Sequence, residues 1–239
     1  MFIPLEKLKA YALDFDTELD DIALERFDIY GKLLAEWNEK INLTAITDPE
    51  GIALKHFADS LSVLKYCEIG EGAKLIDVGT GAGFPGLALL IARPDIKLTL
   101  LDSTKKKLGV IENILDNIGL SAELLHSRAE EAGQNANYRE KFDFATARAV
   151  ANLRELSEYC LPFVKVGGVF AAYKSSDSDD EISTAEHAIA KLGGKIEKKD
   201  SFVLPDSDIN RSIVIVRKVR KTPGQYPRKA GTPTKEPLS

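Results

Sequence analysis

Lys74-Leu-Ile-Asp-Val-Gly-Thr-Gly-Ala-Gly-Phe-Pro-Gly86 is the stretch that sets the reading of this 239-residue chain. A short apolar run ends beside a carboxylate, and glycines follow at 79, 81 and 83. A helical pattern resumes over residues 87–92. Glycine lets the chain turn tightly and lets a ligand approach the backbone. The helix that follows presents N–H groups with no partner of their own. In an open parallel sheet such a turn opens a crevice beyond the carboxyl ends of the strands.

Downstream, the same alternation continues. Residues 96–101 read as a second strand running up to Asp102, 105–118 as a helix, and 122–125 as a third strand. Residues 142–148 form a fourth strand, 152–164 a helix, 168–173 a fifth strand and 182–192 a helix. Residues 195–204 and 212–219 close the series as two strands with no helix between them. Strands alternating with helices predict an α/β fold, a mostly parallel sheet covered on both faces. Strands this apolar suit burial on both sides. The closing pair places one antiparallel strand at or near the sheet edge.

Upstream, residues 1–70 read as a helical extension. Ile22, Phe27, Tyr30, Leu34, Trp37 and Ile41 recur at mostly helical spacing. After a break over residues 42–47, Asp48-Pro49-Glu50 looks like an N-cap with proline at the first helical position. The helix it opens carries Ile52, Leu54, Phe57, Leu61 and Leu64. The expected organisation is residues 1–70 as N-terminal extension, 71–220 as the main domain, and 221–239 as a basic Pro/Gly-rich tail without regular structure.

Hydrophobic residues make up 44 % of the chain, which supports a sizeable core. No signal-peptide pattern and no membrane-length apolar run is present. Two cysteines, Cys67 and Cys160, lack metal-like spacing, so a cytoplasmic protein without metal is expected. The net charge of −5 is unevenly spread: −7 over residues 1–74, −5 over 75–210, and +7 over 211–239. A basic end on an acidic protein either faces a polyanion or merely solvates the chain.

The glycines alone leave two ligands open. Gly81, Gly83 and Gly86 satisfy a dinucleotide fingerprint, and Asp102 lies 19 residues beyond Gly83, as a ribose-binding acid would. Asp102 could equally cap the helix that follows. Asp77 favours a cationic amino-acid ligand over a pyrophosphate, and Pro85 removes an N–H that a phosphate would use. From the turn, an NAD-linked oxidoreductase is the rival to an S-adenosylmethionine-dependent methyltransferase; a small-molecule methyltransferase and a non-enzymatic RNA-binding factor are further alternatives.

Five blocks are more specific: Glu36-Trp-Asn-Glu-Lys-Ile-Asn-Leu-Thr44, Lys55-His-Phe-Ala-Asp-Ser60, Asp77 to Gly86, Thr146-Ala-Arg-Ala-Val150, and Tyr226-Pro-Arg-Lys-Ala-Gly-Thr-Pro233. Together, in this order, they resemble the bacterial small-subunit (16S) ribosomal RNA methyltransferase G family, once called glucose-inhibited division protein B. The resemblance implies a class I S-adenosylmethionine-dependent methyltransferase fold, Rossmann-like, with a mostly parallel seven-stranded sheet. The two helix-less closing strands fit that fold. It further implies transfer to N7 of one guanine near the decoding region of 16S ribosomal RNA, with free RNA or the small-subunit particle as partner.

By the same resemblance, Gly79 and Phe84 belong at the methyl donor, Asp102 at its ribose, Ala129 and Glu130 beside its adenine, and Arg148 at the closing edge of the pocket. Asp77, Gly81 and Gly83 complete the expected donor site. Guanine N7 carries a lone pair and no proton, so no general base is required, and no Ser-His-Asp or Cys-His set is found. Arg148 is the basic residue expected near the reacting centre, as a positioning group. Its alternative is an ion pair at the strand end. Lys55, His56 and Asp59 could form one polar face toward the pocket, or His56 could bond Asp59 for structural reasons. Trp37 lies on an apolar stripe and reads as core. The run from Lys105 to Lys107 opens a helix against its dipole; it faces RNA phosphate or solvent. Arg211, Arg217, Lys218, Arg220, Lys221, Arg228, Lys229 and Lys235 are the remaining candidate phosphate contacts, with Tyr226 as a stacking surface.

Overall fold

A computed structural model describes residues 1–175 and 179–238 of the chain. Residues 176–178, within the expected main domain, and Ser239 at the end of the expected tail lie outside the described residues.

Seven strands form one sheet: β1 (Lys74–Val78), β2 (Lys97–Asp102), β3 (Glu123–His126), β4 (Phe142–Arg148), β5 (Val164–Ser175), β6 (Gly194–Val203) and β7 (Asn210–Lys218). Their order across the sheet is β3-β2-β1-β4-β5-β7-β6. Neighbours from β3 through β5 pair in parallel, whereas β7 runs antiparallel to both β5 and β6. The reversed strand therefore sits one place in from the edge. The short loop between β6 and β7 forces it, since a tight connection can only join antiparallel neighbours.

The helices are α1 (Leu5–Asp14), α2 (Asp21–Asn38), the short α3 (Pro49–Gly51), α4 (Asp59–Leu61) and α5 (Val63–Tyr66), then α6 (Gly86–Ala92), α7 (Lys105–Ile118), α8 (Ala129–Gln134), α9 (Leu153–Cys160), α10 (Asp179–Lys191) and α11 (Thr232–Lys235). The Asp20 carboxylate caps α2 by accepting from Ala23 N at 2.7 Å, and Asp48 caps α3 by accepting from Gly51 N at 2.6 Å. The uniform α-helix expected after Asp48 is replaced over Ile52–Ala58 by a π-helix. Its wider turn is a feature often found at functional sites. The sequence reading also missed α8, whose six residues are too few to show a period.

One face of the sheet packs under α2, the π-helix, α6 and α7, with Phe27, Tyr30, Phe57, Leu75 and Leu100 in one continuous cluster. The extension thus shares its core with the sheet instead of building a separate one. The opposite face packs under α8, α9 and α10, joined by Tyr226 and Leu238 from the tail. Cys160 is fully buried in that face. Trp37 packs against the first cluster, and its indole N–H donates to Asn113 Oδ1 at 3.0 Å.

The tail departs from the expectation. Beyond α11 it has little regular structure, yet it is tied across the α8–α9 face. Glu158, fully buried on α9, receives the Arg228 guanidinium at 2.7 Å and the Arg228 backbone N–H at 2.8 Å. Arg139 donates to the carbonyls of Tyr226, Thr222 and Pro223. A buried carboxylate must be paired, and the tail supplies the pair.

Candidate active site

The strand order reverses between β1 and β4: β2 flanks one and β5 the other, so their connections leave in opposite directions. A crevice opens there at the carboxyl ends, where α/β sheets bind ligands. The glycine turn leaves β1 at this point, and Arg148 ends β4.

The turn is held from all sides. Gly79, Gly81 and Gly83 have φ of +74°, +61° and +103°, conformations that only glycine takes without strain. Gly79 N and Thr80 N both donate to Leu101 O, at 2.8 and 3.0 Å. A Cβ on Gly83 would lie 2.7 Å from the Tyr30 hydroxyl. That hydroxyl, on α2, donates to Ala82 O at 2.7 Å and props the turn from the extension.

Asp77 is fully buried beneath the turn. Its Oδ2 accepts from Thr80 Oγ1 at 2.7 Å and from Gly86 N at 2.9 Å, while its buried Oδ1 has no partner among the described residues. Burial pushes this carboxyl up to about 6, against the two hydrogen bonds that favour the charged form. In this conformation Asp77 braces the turn; it does not offer an open carboxylate to a cation. Asp102 is 7 % exposed, and its two oxygens accept from Gly81 N at 3.0 Å and Thr104 N at 2.8 Å. Asp102 thus braces the glycine turn and the residue before α7 without bonding the N–H groups of the helix itself, and its carboxylate lines a cavity as well.

Two cavities meet at Gly79. The smaller, about 320 Å³, is lined by Asp102, Ala129, Glu130, Val150, Tyr159 and Thr234 among others. Thr234 belongs to the tail, and Gly231 N from the same segment donates to Glu130 Oε1 at 2.9 Å. The larger, about 780 Å³, is lined by Thr44, Lys55, His56, Phe84, Lys107, Arg148, Lys174 and Arg211 among others. Both volumes lie in the range of small-molecule sites.

Arg148 is anchored rather than free. Its Nη1 donates to Asp59 Oδ2 at 2.9 Å and to the carbonyls of Lys55 and His56 at 3.3 Å. These carbonyls belong to the π-helix. The guanidinium carbon lies 5.0 Å from the Phe84 ring centre, a cation–π contact. Arg211 approaches the other Asp59 oxygen at 3.3 Å. Arg148 thus makes an ion pair at the strand end and also lines the larger cavity.

His56 stacks on Phe84, with ring centres 4.5 Å apart. It does not bond Asp59. Its Nε2 meets Thr44 Oγ1 at 2.8 Å and its Nδ1 meets Arg148 Nη2 at 3.4 Å. Burial and the adjacent guanidinium push the imidazole down to about 3, so it is neutral near pH 7.

The structure gathers Gly79, Gly81, Phe84, Arg148, Lys55 and His56 around the larger cavity, and Gly79, Asp102, Ala129 and Glu130 around the smaller. Gly83 sits behind the turn against Tyr30. Of the tail residues, Tyr226 is 4 % exposed, so its ring offers no stacking face in this conformation. Arg228 is spent on Glu158, and Arg220 donates to Ala190 O. Lys221 and Lys229 are exposed. Sequence reading passed over Thr44 and Lys174, and counted Arg211 only among the phosphate contacts of the basic end. Thr44 stood inside a quoted block, but nothing local marks its hydroxyl. Lys174 meets the site through the β4–β5 pairing, which sets Arg148 opposite Tyr173, and Arg211 through the β5–β7 pairing, which puts it opposite Ser175.

The doubly wound sheet with its reversed seventh strand, the glycine turn and the acid ending β2 define a class I S-adenosylmethionine-dependent methyltransferase. Solved structures share this fold. An S-adenosylmethionine-dependent O-methyltransferase from Thermotoga maritima aligns with a TM-score of 0.53 at 16 % identity, over 79 % of this chain and 72 % of its own. TrmN from Thermus thermophilus aligns with a TM-score of 0.52 at 16 % identity, over 67 % and 48 %. The family GidB, rRNA small subunit methyltransferase G, matches residues 23–210. The chain belongs to this family. A ribosomal RNA small subunit methyltransferase G from Clostridium novyi is 48 % identical, covering 97 % of this chain and 96 % of its own. One from an Exiguobacterium species is 49 % identical over 92 % and 93 %.

The residues present fit the donor. Gly79 leaves the backbone bare of a side chain beside both cavities and Gly81 beside the larger, and the buried Asp102 carboxylate edges the smaller one.

Proposed function

We propose that the protein methylates N7 of one guanine in 16S ribosomal RNA near the decoding region, acting in the cytoplasm on free small-subunit RNA or on the particle. S-Adenosylmethionine, when bound, supplies a methyl group on a positively charged sulfur. The donor-site residues of this reading are Asp77, Gly79, Gly81, Gly83, Phe84, Asp102, Ala129, Glu130 and Arg148, with Asp77 acting through the shape of the turn.

The observation that carries the reading is the chemistry of the larger cavity. Lys55 and Lys107 bring it positive charge that no ion pair among the described residues neutralises, as a phosphate backbone requires, while Lys174 and Arg211 stand paired with Glu181 and Asp59. Its one histidine has both ring nitrogens engaged and its pKa held at about 3, so it is no general base. A nucleophile with a lone pair and no proton to lose, such as guanine N7, suits such a site. What remains for the protein is positioning, which in favourable cases lowers the barrier by roughly 7–11 kcal/mol. Phe84, stacked against both the Tyr30 and the His56 rings with the Arg148 guanidinium beside it, gives a rigid wall for it.

The test is transfer of labelled methyl to unmodified small-subunit particles and to free 16S ribosomal RNA, followed by nucleoside mass spectrometry. Label in 7-methylguanosine is expected; label in any other nucleoside refutes the acceptor. Comparing the two substrates separates RNA from particle.

A further inference from the structure

The hydrogen bonds around Thr44 fix what its side chain can do. Arg148 Nη2 carries only donor protons, so His56 Nδ1, 3.4 Å away, must be the acceptor. The proton of the neutral ring therefore sits on Nε2, which donates to Thr44 Oγ1 at 2.8 Å. Ile46 N donates to the same oxygen at 3.0 Å. A hydroxyl oxygen has two lone pairs, and both are now taken. Its proton has no acceptor among the described residues, and Thr44 lines the larger cavity. Asn38 holds the residue in place, its Oδ1 accepting from Leu43 N at 2.8 Å and Thr44 N at 2.9 Å.

Thr44 is thus a rigid hydroxyl that can donate and cannot accept. Three of the charged donors nearby are spent, and the Lys55 and Lys107 side chains are left for phosphate. Arg148 is held by Asp59 and two carbonyls, Lys174 by Ala151 O and Glu181, and Arg211 by Asp59. The exposed edge beside purine N7 differs in one group: guanine presents the O6 acceptor and adenine the N6 donor. A hydroxyl with free lone pairs would serve either base; a hydroxyl with none serves only guanine.

We propose that Thr44 is a specificity-determining residue, its hydroxyl donating to O6 of the target guanine beside the reacting N7, with His56 and Arg148 as positioning residues that lock it in the donor state. This rests on the substrate reading above. The methyl acceptor N7 keeps its lone pair, because the hydrogen bond falls on the neighbouring atom.

The test crosses enzyme and substrate variants: wild type, Thr44→Ser and Thr44→Val, each on small-subunit RNA carrying guanine or 2-aminopurine at the target position. 2-Aminopurine keeps N7 and lacks O6. Loss of one such hydrogen bond is expected to lower kcat/KM by about tenfold. Thr44→Val should show that loss on guanine and none relative to wild type on 2-aminopurine. Thr44→Ser should match wild type on both, and donor affinity should be the same in all three proteins. Equal losses for Thr44→Val on both bases, or no loss on guanine, overturn the assignment of Thr44. A wild-type enzyme that leaves guanine N7 unmethylated overturns the substrate reading instead, and the assignment with it.

Discussion

Arg228→Ala removes the guanidinium that neutralises Glu158, a side chain with no exposure to water. In the native protein, Glu158 accepts from Arg228 Nε at 2.9 Å, from Nη2 at 2.7 Å, and from the backbone N–H of the same residue at 2.8 Å. The substitution leaves only the backbone donor on Oε1 and strips Oε2. Breaking a buried pair by deleting one partner costs about 3–5 kcal/mol. The surviving backbone bond puts the expected loss near the lower end, about 3 kcal/mol. Against a total stability on the order of 5–15 kcal/mol this is a large fraction. At this chain length it corresponds to a drop in Tm of roughly 6–12 °C. Urea unfolding followed by circular dichroism measures it. Glu158→Gln combined with Arg228→Ala should recover much of the loss, because no charge is then left buried. A loss under about 1 kcal/mol, or a double variant no better than the single one, would refute the claim that the basic tail is held by a buried carboxylate. The salt dependence of RNA binding adds a control. Arg228→Ala should leave its slope unchanged, whereas Lys229→Ala should reduce it by about one, if the exposed lysine meets phosphate.

Tyr30→Phe deletes the prop beneath the glycine turn and orphans Ala82 O, so S-adenosylmethionine affinity by calorimetry should fall about two- to tenfold, with little change in RNA binding; unchanged donor affinity would sink the role given to the extension. His56 makes stability pH-dependent. Its folded-state value of about 3 lies below the ordinary 6.5, so the unfolded chain binds the proton first. Stability is therefore undiminished above pH 6.5 and lost as pH falls from there toward 3, at up to about 1.4 kcal/mol per pH unit. Urea midpoints between pH 7 and 4.5 should show this slope, and His56→Gln should flatten it.

Much of the fold was legible because it rests on local rules. The alternation of apolar strands and amphipathic helices, the caps at Asp20 and Asp48, and the helix-less final strand pair each follow from a few adjacent residues. The elements lost to sequence reading were those whose signal is short or distant. α8 spans less than two turns, and the π-helix differs from an α-helix by one residue per turn, which apolar periodicity does not register. Of the candidate site, the glycine turn and Arg148 were visible, since glycine spacing and a lone basic residue after a strand stand out. Their internal wiring was not.

What the sequence by itself determined, then, is the position of the turn, the order of strands and helices, and the family. These depend on contacts within a few residues and on motif spacing. The tertiary structure decided which polar groups are free and which are spent. The tail read as a basic arm, yet Glu158, 70 residues earlier, claims Arg228. Asp77 read as an open carboxylate, yet folding encloses it under Thr80 and Gly86. Thr44 read as part of a break between helices, yet His56 and Arg148 turn it into a fixed donor. In each case a donor or acceptor is counted only once its partner is known, and the partner comes from another element of the fold.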